Sequence, residues 1–304
     1  MEIFPQVLIA GSTGLVGTGL LRQFARQGVP VCALVRHTPE PRDSAFLWDP
    51  YHFAFREDMR RLSGIRAAIH LSGENLSTGR WTPEKKNLIR QSRITTTQAM
   101  VELLSHLEQP PEVFLCASAV GYYGHRDSQV LTEQSAAGQG FLPEVCREWE
   151  AAAEQATSMG IRVVNLRFGM ILSADGGALP KIAPVFRMGF GGNLSNGRQW
   201  MSWISLSDVL RVVDFCMARP EIRGPVNVVA KPVSNREFTH ALAHHLHRPA
   251  VLPVPAFALR AMLGEMAEAV LLSSTRAIPE KLLQNGFVFE HPTLPQALNS
   301  VLPN

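Results

Sequence analysis

The stretch "QVLIAGSTGLVGTGLLRQFARQG", residues 6–28, carries the sequence pattern from which the fold is most directly predicted. A short apolar run ends at three glycines spaced three apart, Gly11, Gly14 and Gly17, and apolar residues at helical spacing follow them. This order predicts a buried strand, a tight turn and a helix that runs through Gln27. The amino end of a helix presents free N–H groups and a partial positive charge, so the turn is also a candidate anion site.

Strand-like and helix-like runs alternate along the first two-thirds of the chain. The runs "PVCALVRH", "AAIHLSG", "EVFLCASAVG" and "RVVNLRFGMIL" read as strands, and helix-like segments such as "LPEVCREWEAAAEQATSMG" separate them. The alternation predicts an α/β fold, a Rossmann-type doubly wound parallel sheet covered on both faces.

The pattern changes after Leu172. The next segment, through Trp203, is rich in glycine and proline, which predicts an irregular excursion over the surface. A helix capped by Ser207 or Asp208 and a strand at "GPVNVVA" follow, and mainly helical segments fill the rest. We therefore expect residues 1–172 and 204–230 to form the sheet domain, with residues 173–203 and 231–304 as a small, mainly helical region on its substrate side.

Composition narrows the classes of function. The 304-residue chain is 46% hydrophobic and 18% charged, and it has no uninterrupted apolar run long enough for a membrane helix. Its formal net charge of +3 comes without a dense basic cluster, which argues against a nucleic-acid partner. The start "MEIFPQVLIAG" carries an acid where a signal peptide carries positive charge, so we expect a cytoplasmic protein. Four scattered cysteines indicate buried thiols rather than a disulfide framework or a metal site.

The glycine turn has two interpretations. A strand, a glycine-rich turn and a helix are typical of dinucleotide binding, in which the glycines give a tight turn, close approach to a pyrophosphate and close helix packing. The alternative is a glycine-rich loop without a ligand. Arg36 follows the second strand, 19 residues after Gly17, where NAD-binding proteins usually carry an acid. The arginine favours a 2′-phosphate and hence NADP, unless it is simply a solvated charge at a strand end.

Several motifs together resemble the extended and atypical short-chain dehydrogenases/reductases, specifically the epimerase family proteins with a C-terminal domain of unknown function. They are "GSTGLVG", "HLSGE", "ASAVGYYG", "WEAAA", "LRFGMILSADGGAL", "GFGGNLSNGRQWMSWI", "RPAVLPVPAFALRAMLGE" and "AIPEKLLQNGF", and they span nearly the whole chain. The resemblance implies an NADP-binding domain and a nucleotide-sugar-like substrate. It also implies the following cofactor-binding residues: Gly11, Ser12, Thr13, Gly14, Leu15, Val16, Gly17, Arg36, Leu71, Ser72, Gly73, Glu74, Ser118 and Arg167.

The catalytic pattern of that superfamily is incomplete here. Its active members use a serine together with Y-x-x-x-K on a helix, where the lysine charge lowers the pKa of the tyrosine that transfers the proton. No lysine of this chain has a tyrosine four residues before it. Ser118, Tyr122 and Tyr123 are the catalytic candidates, but the serine could instead satisfy backbone groups and the tyrosines could pack in the core. Arg147 could replace the missing charge, although a mid-helix arginine is usually solvated.

The segment "SNGRQWMSWISLSD" is the candidate substrate loop. Arg198 could pair with an anionic group, and Trp200 or Trp203 could stack on a planar or sugar face. Alternatively, both tryptophans pack the two regions together. We expect an NADP(H)-dependent oxidoreductase or nucleotide-sugar epimerase that acts on a small molecule. The rival hypothesis is a non-catalytic NADP(H) sensor or partner-binding module, which the resemblance links to cell division. The oligomeric state stays open.

Overall fold

A computed structural model of the chain describes residues 7–36, 45–52, 54–55 and 59–302. A central sheet has the strand order β12-β8-β6-β5-β1-β2-β3-β4, in which all strands are parallel except β4 at one edge. The strands are β1 (Val7–Ala10), β2 (Val31–Val35), β3 (Ala45–Asp49), β4 (Ala54–Phe55), β5 (Ala67–His70), β6 (Val113–Ala119), β7 (Val130–Leu131), β8 (Arg162–Phe168), β9 (Met170–Leu172), β10 (Trp200–Met201), β11 (Trp203–Ser205), β12 (Gly224–Val228), β13 (Val233–Ser234) and β14 (Arg276–Ala277). The Rossmann-type sheet predicted from the sequence is confirmed.

Helices cover the sheet and fill the C-terminal region. They are α1 (Leu15–Gln27), α2 (Pro83–Ser105), α3 (Phe141–Glu154), α4 (Leu179–Arg187), α5 (Leu206–Ala218), α6 (Asn235–His245), α7 (Ala256–Leu263), α8 (Glu280–Gln284) and α9 (Leu294–Val301). Short 3₁₀ segments lie at Met59–Leu62, Val120–Tyr123 and Gln155–Met159, and a π-helical turn at Ala267–Leu271. No helix of the described residues has the length and hydropathy that crossing a membrane requires.

Two apolar layers sandwich the sheet because successive strand residues face opposite sides. In β1, Leu8 packs on the face that α2 and α3 cover, together with Met100. Its neighbour Ile9 packs on the other face with Leu20 of α1 and Val212 of α5. The alternation explains why the strands read as continuous apolar runs, since both faces are buried.

The chain leaves the sheet after β8 and returns to it at β12, which pairs in parallel with β8. The intervening segment is more regular than its glycine and proline content predicts, because α4 forms within it. Leu179, Ala183 and Phe186 of α4 lie at helical spacing and are buried in a third core with Trp203. Helix α5 also begins earlier than expected: its N-cap is Ser205, whose hydroxyl accepts from the Asp208 N–H.

All four cysteines are buried and have free thiols. Within the described part of the chain, no three His, Cys, Asp or Glu side chains come together as a metal site.

Candidate functional site

A cleft of about 270 Å³ lies at the carboxyl ends of β1, β5 and β6. The strand order reverses at β1: the chain builds β2, β3 and β4 on one side of β1 and then crosses over to β5 on the other side. Ligands of open α/β sheets bind at such a switch point. The cleft is lined by Gly11, Gly14, Leu15, Val16, Gly17, Leu71, Ser72, Gly73, Leu76, Arg93, Ala117, Ser118, Ala119, Gly121, Leu142, Val145, Cys146, Trp149 and Phe168.

The three glycines of the turn meet different demands. Gly11 has a φ of +83°, and a Cβ there would lie 2.7 Å from the carbonyl carbon of Leu71. At Gly17 a Cβ would lie 2.3 Å from the Gly11 carbonyl oxygen. Gly14 differs, because its φ of −76° suits any residue and a Cβ would meet only that same oxygen, at 3.4 Å. The fold therefore requires Gly11 and Gly17, whereas Gly14 leaves room on the cleft side.

The amino end of α1 faces the same cleft. The first main-chain bond of this helix runs from the Thr18 N–H to the Gly14 carbonyl at 2.8 Å, so the N–H groups of Leu15, Val16 and Gly17 precede the helical ladder. Three such groups and the partial positive charge of the helix end form an anion site of the kind that binds a pyrophosphate. Bare N–H groups and the space at Gly14 fit the diphosphate of a dinucleotide.

Two further predicted residues of the turn lie outside the cleft lining. Ser12 is buried beneath the turn, where its carbonyl accepts a hydrogen bond from the Thr18 hydroxyl, and Thr13 is exposed. Arg36 follows β2 directly and is exposed. Since β2 lies beside β1 in the sheet, this position is at the opposite end of the cleft edge from β6.

Ser118, at the carboxyl end of β6, lines the cleft, but its hydroxyl hydrogen-bonds a residue that lies outside the cleft lining. It donates to Oε1 of Glu150 at 2.6 Å, and both residues are buried. Two nitrogens of Arg167 hold the same carboxylate at 2.7 Å each, a bidentate ion pair. Because the hydroxyl hydrogen is committed to Glu150, Ser118 offers a ligand in the cleft only an acceptor oxygen.

The model of the NAD dependent epimerase/dehydratase family matches residues 7–229, and that of a domain of unknown function, DUF1731, matches residues 254–301. An epimerase family protein of Mycobacterium bovis is 40% identical over 293 residues, 96% of each chain. The chain belongs to the NAD-dependent epimerase/dehydratase family. Membership agrees with the resemblance found from the sequence motifs.

Two solved structures of the family are similar over nearly the whole chain. Human epimerase family protein SDR39U1 (isoform 2), crystallised with NADPH, has a TM-score of 0.88 at 28% identity and covers 98% of this chain and 99% of its own. A nucleoside-diphosphate sugar epimerase of Corynebacterium glutamicum has a TM-score of 0.79 at 33% identity, covering 99% of this chain and 58% of its own.

Arg167 and Tyr123 belong to a buried network behind the cleft rather than to its wall, which corrects their predicted roles in cofactor binding and catalysis. The Tyr123 hydroxyl donates to Oδ1 of Asn227 at 2.7 Å and accepts from Arg167 at 2.9 Å. Its side chain is 0% exposed, and burial raises its pKa to about 12. Tyr122 is half-buried and its ring lies against the Arg167 guanidinium, 3.5 Å from centroid to Cζ, so it too lies outside the cleft lining.

Helix α3 presents apolar residues where the family pattern Y-x-x-x-K would place its pair. Leu142 and Cys146, four residues apart, both line the cleft. Burial raises the pKa of the Cys146 thiol to about 12, so the thiol is protonated at neutral pH. Arg147, the predicted substitute for the missing charge, is exposed and is not among the residues that line the cleft.

The cleft instead receives a cation from α2 that sequence reasoning missed. Arg93 is the one charged side chain among the described lining residues. Its guanidinium lies against the Trp149 ring, 5.1 Å from the centroid, and burial lowers its pKa. A signal was available, because Arg93 follows the buried Ile89 by four residues and precedes the buried Thr96 and Thr97 by three and four. A charged residue at the spacing of a helix's buried positions indicates a special role.

The four predicted residues that follow β5 divide between the cleft and its surroundings. Leu71, Ser72 and Gly73 line the cleft, but the adjacent Glu74 pairs with Lys85 at 2.5 Å outside it.

The predicted substrate loop borders a second cavity, of about 340 Å³. Arg198 and Trp200 line it, together with Asp127 and Ser195, two non-glycine residues with positive φ. Trp203 does not reach either cavity, since it is 0% exposed within the third core. The prediction that Trp203 stacks on a substrate is therefore wrong, and its packing alternative describes the ring.

Proposed function

We propose that this chain binds NADP(H) along the carboxyl edge of its sheet and acts as an oxidoreductase on a small molecule held beside the cofactor. One observation carries the proposal: a single cleft joins the N–H groups of Leu15, Val16 and Gly17, at the amino end of α1, to Ser118 at the end of β6. The relative crystallised with NADPH, whose structure matches 98% of this chain, supports it. NADP(H), when bound, supplies hydride transfer.

The order of the strands orients the cofactor. The glycine turn binds the pyrophosphate over β1, so one nucleotide extends toward β2 and Arg36, and the other toward β5 and β6. We assign the 2′-phosphate of the adenosine ribose to Arg36, because a guanidinium makes charge-assisted hydrogen bonds to phosphate. The nicotinamide half then lies beside Gly73 and Ser118. Residues 1–172 and 204–230 serve as the NADP-binding domain, and residues 173–203 and 231–304 cover the substrate side.

Calorimetric titration of NADPH and NADH tests the proposal. A hydrogen bond to a charged group contributes about 1.5 to 3 kcal/mol, so Arg36→Ala should weaken NADPH roughly 10- to 150-fold. NADH, which lacks the 2′-phosphate, should be affected little. Arg26→Ala is the matched control, because Arg26 is also exposed but lies in the last turn of α1, away from the glycine turn.

Equal affinities of the wild type for the two cofactors, or an equal loss for both in Arg36→Ala, would show that Arg36 is a solvated charge. No binding of either cofactor to the wild type would contradict the proposed function itself.

A further inference from the structure

We infer that Arg93 is the residue that binds the nicotinamide half of the cofactor, in place of the lysine that the family pattern would put on α3. The inference rests on the proposed function, because it assumes that a dinucleotide occupies the cleft. The observation behind it is that the Arg93 guanidinium, which has N–H donors without acceptors among the described residues, lies on the side of the cleft opposite Arg36.

The first step concerns where Arg93 lies. A Cβ added to Gly73 would be 3.4 Å from the Arg93 Cζ, so the guanidinium lies over the residue that follows β5 by three positions. Its charge also influences the pKa of Cys146 on α3. The guanidinium thus lies between the end of β5 and the face of α3. From β2 to β6 the sheet edge spans three strand spacings, about 14 Å, and Arg93 is at the far end from Arg36.

The second step concerns unused hydrogen-bond donors. A guanidinium has five N–H donors. One nitrogen of Arg93 donates to the Ile89 carbonyl at 3.0 Å and to the Ser92 hydroxyl at 3.4 Å, and another donates to the Glu74 carbonyl at 3.1 Å. These are neutral acceptors. Within the part of the chain that the structure describes, Nε and one terminal N–H have no acceptor, and no carboxylate makes an ion pair with the group.

The third step concerns the ligand chemistry that the cleft wall favours. Leu76, Leu142, Val145 and Trp149 give the cleft an apolar wall, and the Arg93 guanidinium lies against the Trp149 ring. A half-buried cation with spare donors in an apolar wall favours an oxygen acceptor that is anionic or strongly polar. The ribose hydroxyls and phosphate of the nicotinamide half have that chemistry. The hydrogen bonds that Arg93 donates to the Ile89 and Glu74 carbonyls, together with the Trp149 ring, hold the guanidinium in place before the ligand binds, so little entropy is lost on binding.

A guanidinium stays protonated at any physiological pH, so Arg93 binds and orients but does not exchange protons. It therefore replaces the electrostatic part of the lysine's role and leaves out the acid–base part, which depends on the absent tyrosine.

The test compares NADPH with adenosine 2′,5′-bisphosphate, which keeps the adenosine end and lacks the nicotinamide nucleotide. By calorimetry, Arg93→Gln should weaken NADPH about tenfold or more and leave the bisphosphate unchanged. Arg93→Lys should recover part of the NADPH affinity, because it keeps the charge but not the planar fork. Arg90→Gln is the matched control. Arg90 is also an arginine of α2, but its guanidinium donates to the Glu148 carboxylate of α3 at 2.9 Å. It should leave both affinities unchanged.

A crystal structure of the wild-type protein with NADPH gives a second measurement that does not depend on a variant folding. It should show an Arg93 nitrogen within hydrogen-bond distance of an oxygen in the nicotinamide half. Equal weakening of both ligands in Arg93→Gln, or a bound cofactor that the guanidinium does not touch, would overturn the inference. Failure of the wild type to bind NADPH would instead overturn the proposed function, and the inference with it.

Discussion

Replacing the glycines of the turn one at a time separates what the fold needs from what the ligand needs. Gly17→Ala adds a Cβ that would lie 2.3 Å from the Gly11 carbonyl oxygen and 2.7 Å from the Ser12 Cα. Both neighbours are backbone, so neither can rotate away, and overpacking of this kind costs about 1 to 3 kcal/mol. Alanine gains at most about 1 kcal/mol over glycine in helix propensity. Because both contacts are closer than 3 Å and made with backbone, the steric cost lies at the upper end of its range and exceeds the gain in helix propensity, so we expect a net destabilisation of about 2 kcal/mol.

Gly14→Ala should change stability little and weaken cofactor binding instead. Its backbone has a φ of −76° and a ψ of 172°, which alanine adopts, and the nearest atom to the new methyl is 3.4 Å away. Glycine caps helices better than alanine, but alanine lowers the entropy of the unfolded chain, so the stability change should stay within about 1 kcal/mol. The methyl occupies the space of the pyrophosphate, however. We expect NADPH and NADH to weaken alike, by about tenfold or more.

Thermal unfolding without cofactor and calorimetric titration of both cofactors measure the two effects. The loss of about 2 kcal/mol in Gly17→Ala corresponds to a drop of roughly 4 °C in a chain of this size. Gly14→Ala should melt within about 2 °C of the wild type. If Gly14→Ala destabilised the unliganded protein as much as Gly17→Ala, or left both affinities intact, the division of roles among the glycines would be refuted.

Three further results are expected. Glu150→Gln breaks a buried ion pair and leaves the Arg167 charge uncompensated, so denaturant unfolding should show a loss of about 3 to 5 kcal/mol, whereas an unchanged midpoint would contradict the pairing. Burial lowers the pKa of His70 to about 3, below its usual 6.5, so this residue contributes stability above pH 6.5 that is lost as the pH falls toward 3; His70→Gln should flatten the acid limb of a stability curve against pH. Turnover of UDP-glucose should be negligible, because the absent Tyr–Lys pair forgoes roughly 10²- to 10⁴-fold in rate, and epimerisation abolished by Ser118→Ala would refute this.

Features that depend on a few neighbouring residues could be predicted from the sequence. The strand, turn and helix at residues 7–27 follow from apolar periodicity and glycine spacing, and the structure has them with Gly28 in the left-handed conformation at the helix end. The return of the chain to the sheet at "GPVNVVA" was predictable in the same way. The helix α4 was missed because Pro180 and Pro184 obscured the spacing of its buried residues.

The candidate site was harder to predict because its side chains depend on distant partners. Tyr123 is bound by Asn227, 104 positions away, and Arg167 by Glu150 on another element. Local sequence gives the types of these residues but not whether their polar atoms face the cleft or one another. Arg93 was missed for a similar reason. Helix α2 is polar and carries many charged residues, so the one that faces inward is recognised only from its helical spacing to the buried residues Ile89, Thr96 and Thr97.

The buried network and the cleft are linked through a single carboxylate. Glu150 on α3 needs a cation because an unpaired buried charge is costly, and Arg167 from β8 supplies it. The same carboxylate takes the Ser118 hydrogen, so the serine turns its donor away from the cleft. The donors left on the described cleft wall are backbone N–H groups, the Ser72 hydroxyl and the guanidinium of Arg93, none of which titrates near neutral pH. Under the proposed function, such a site would orient the dinucleotide and stabilise negative charge, and the proton needed during turnover would come from water or from the substrate.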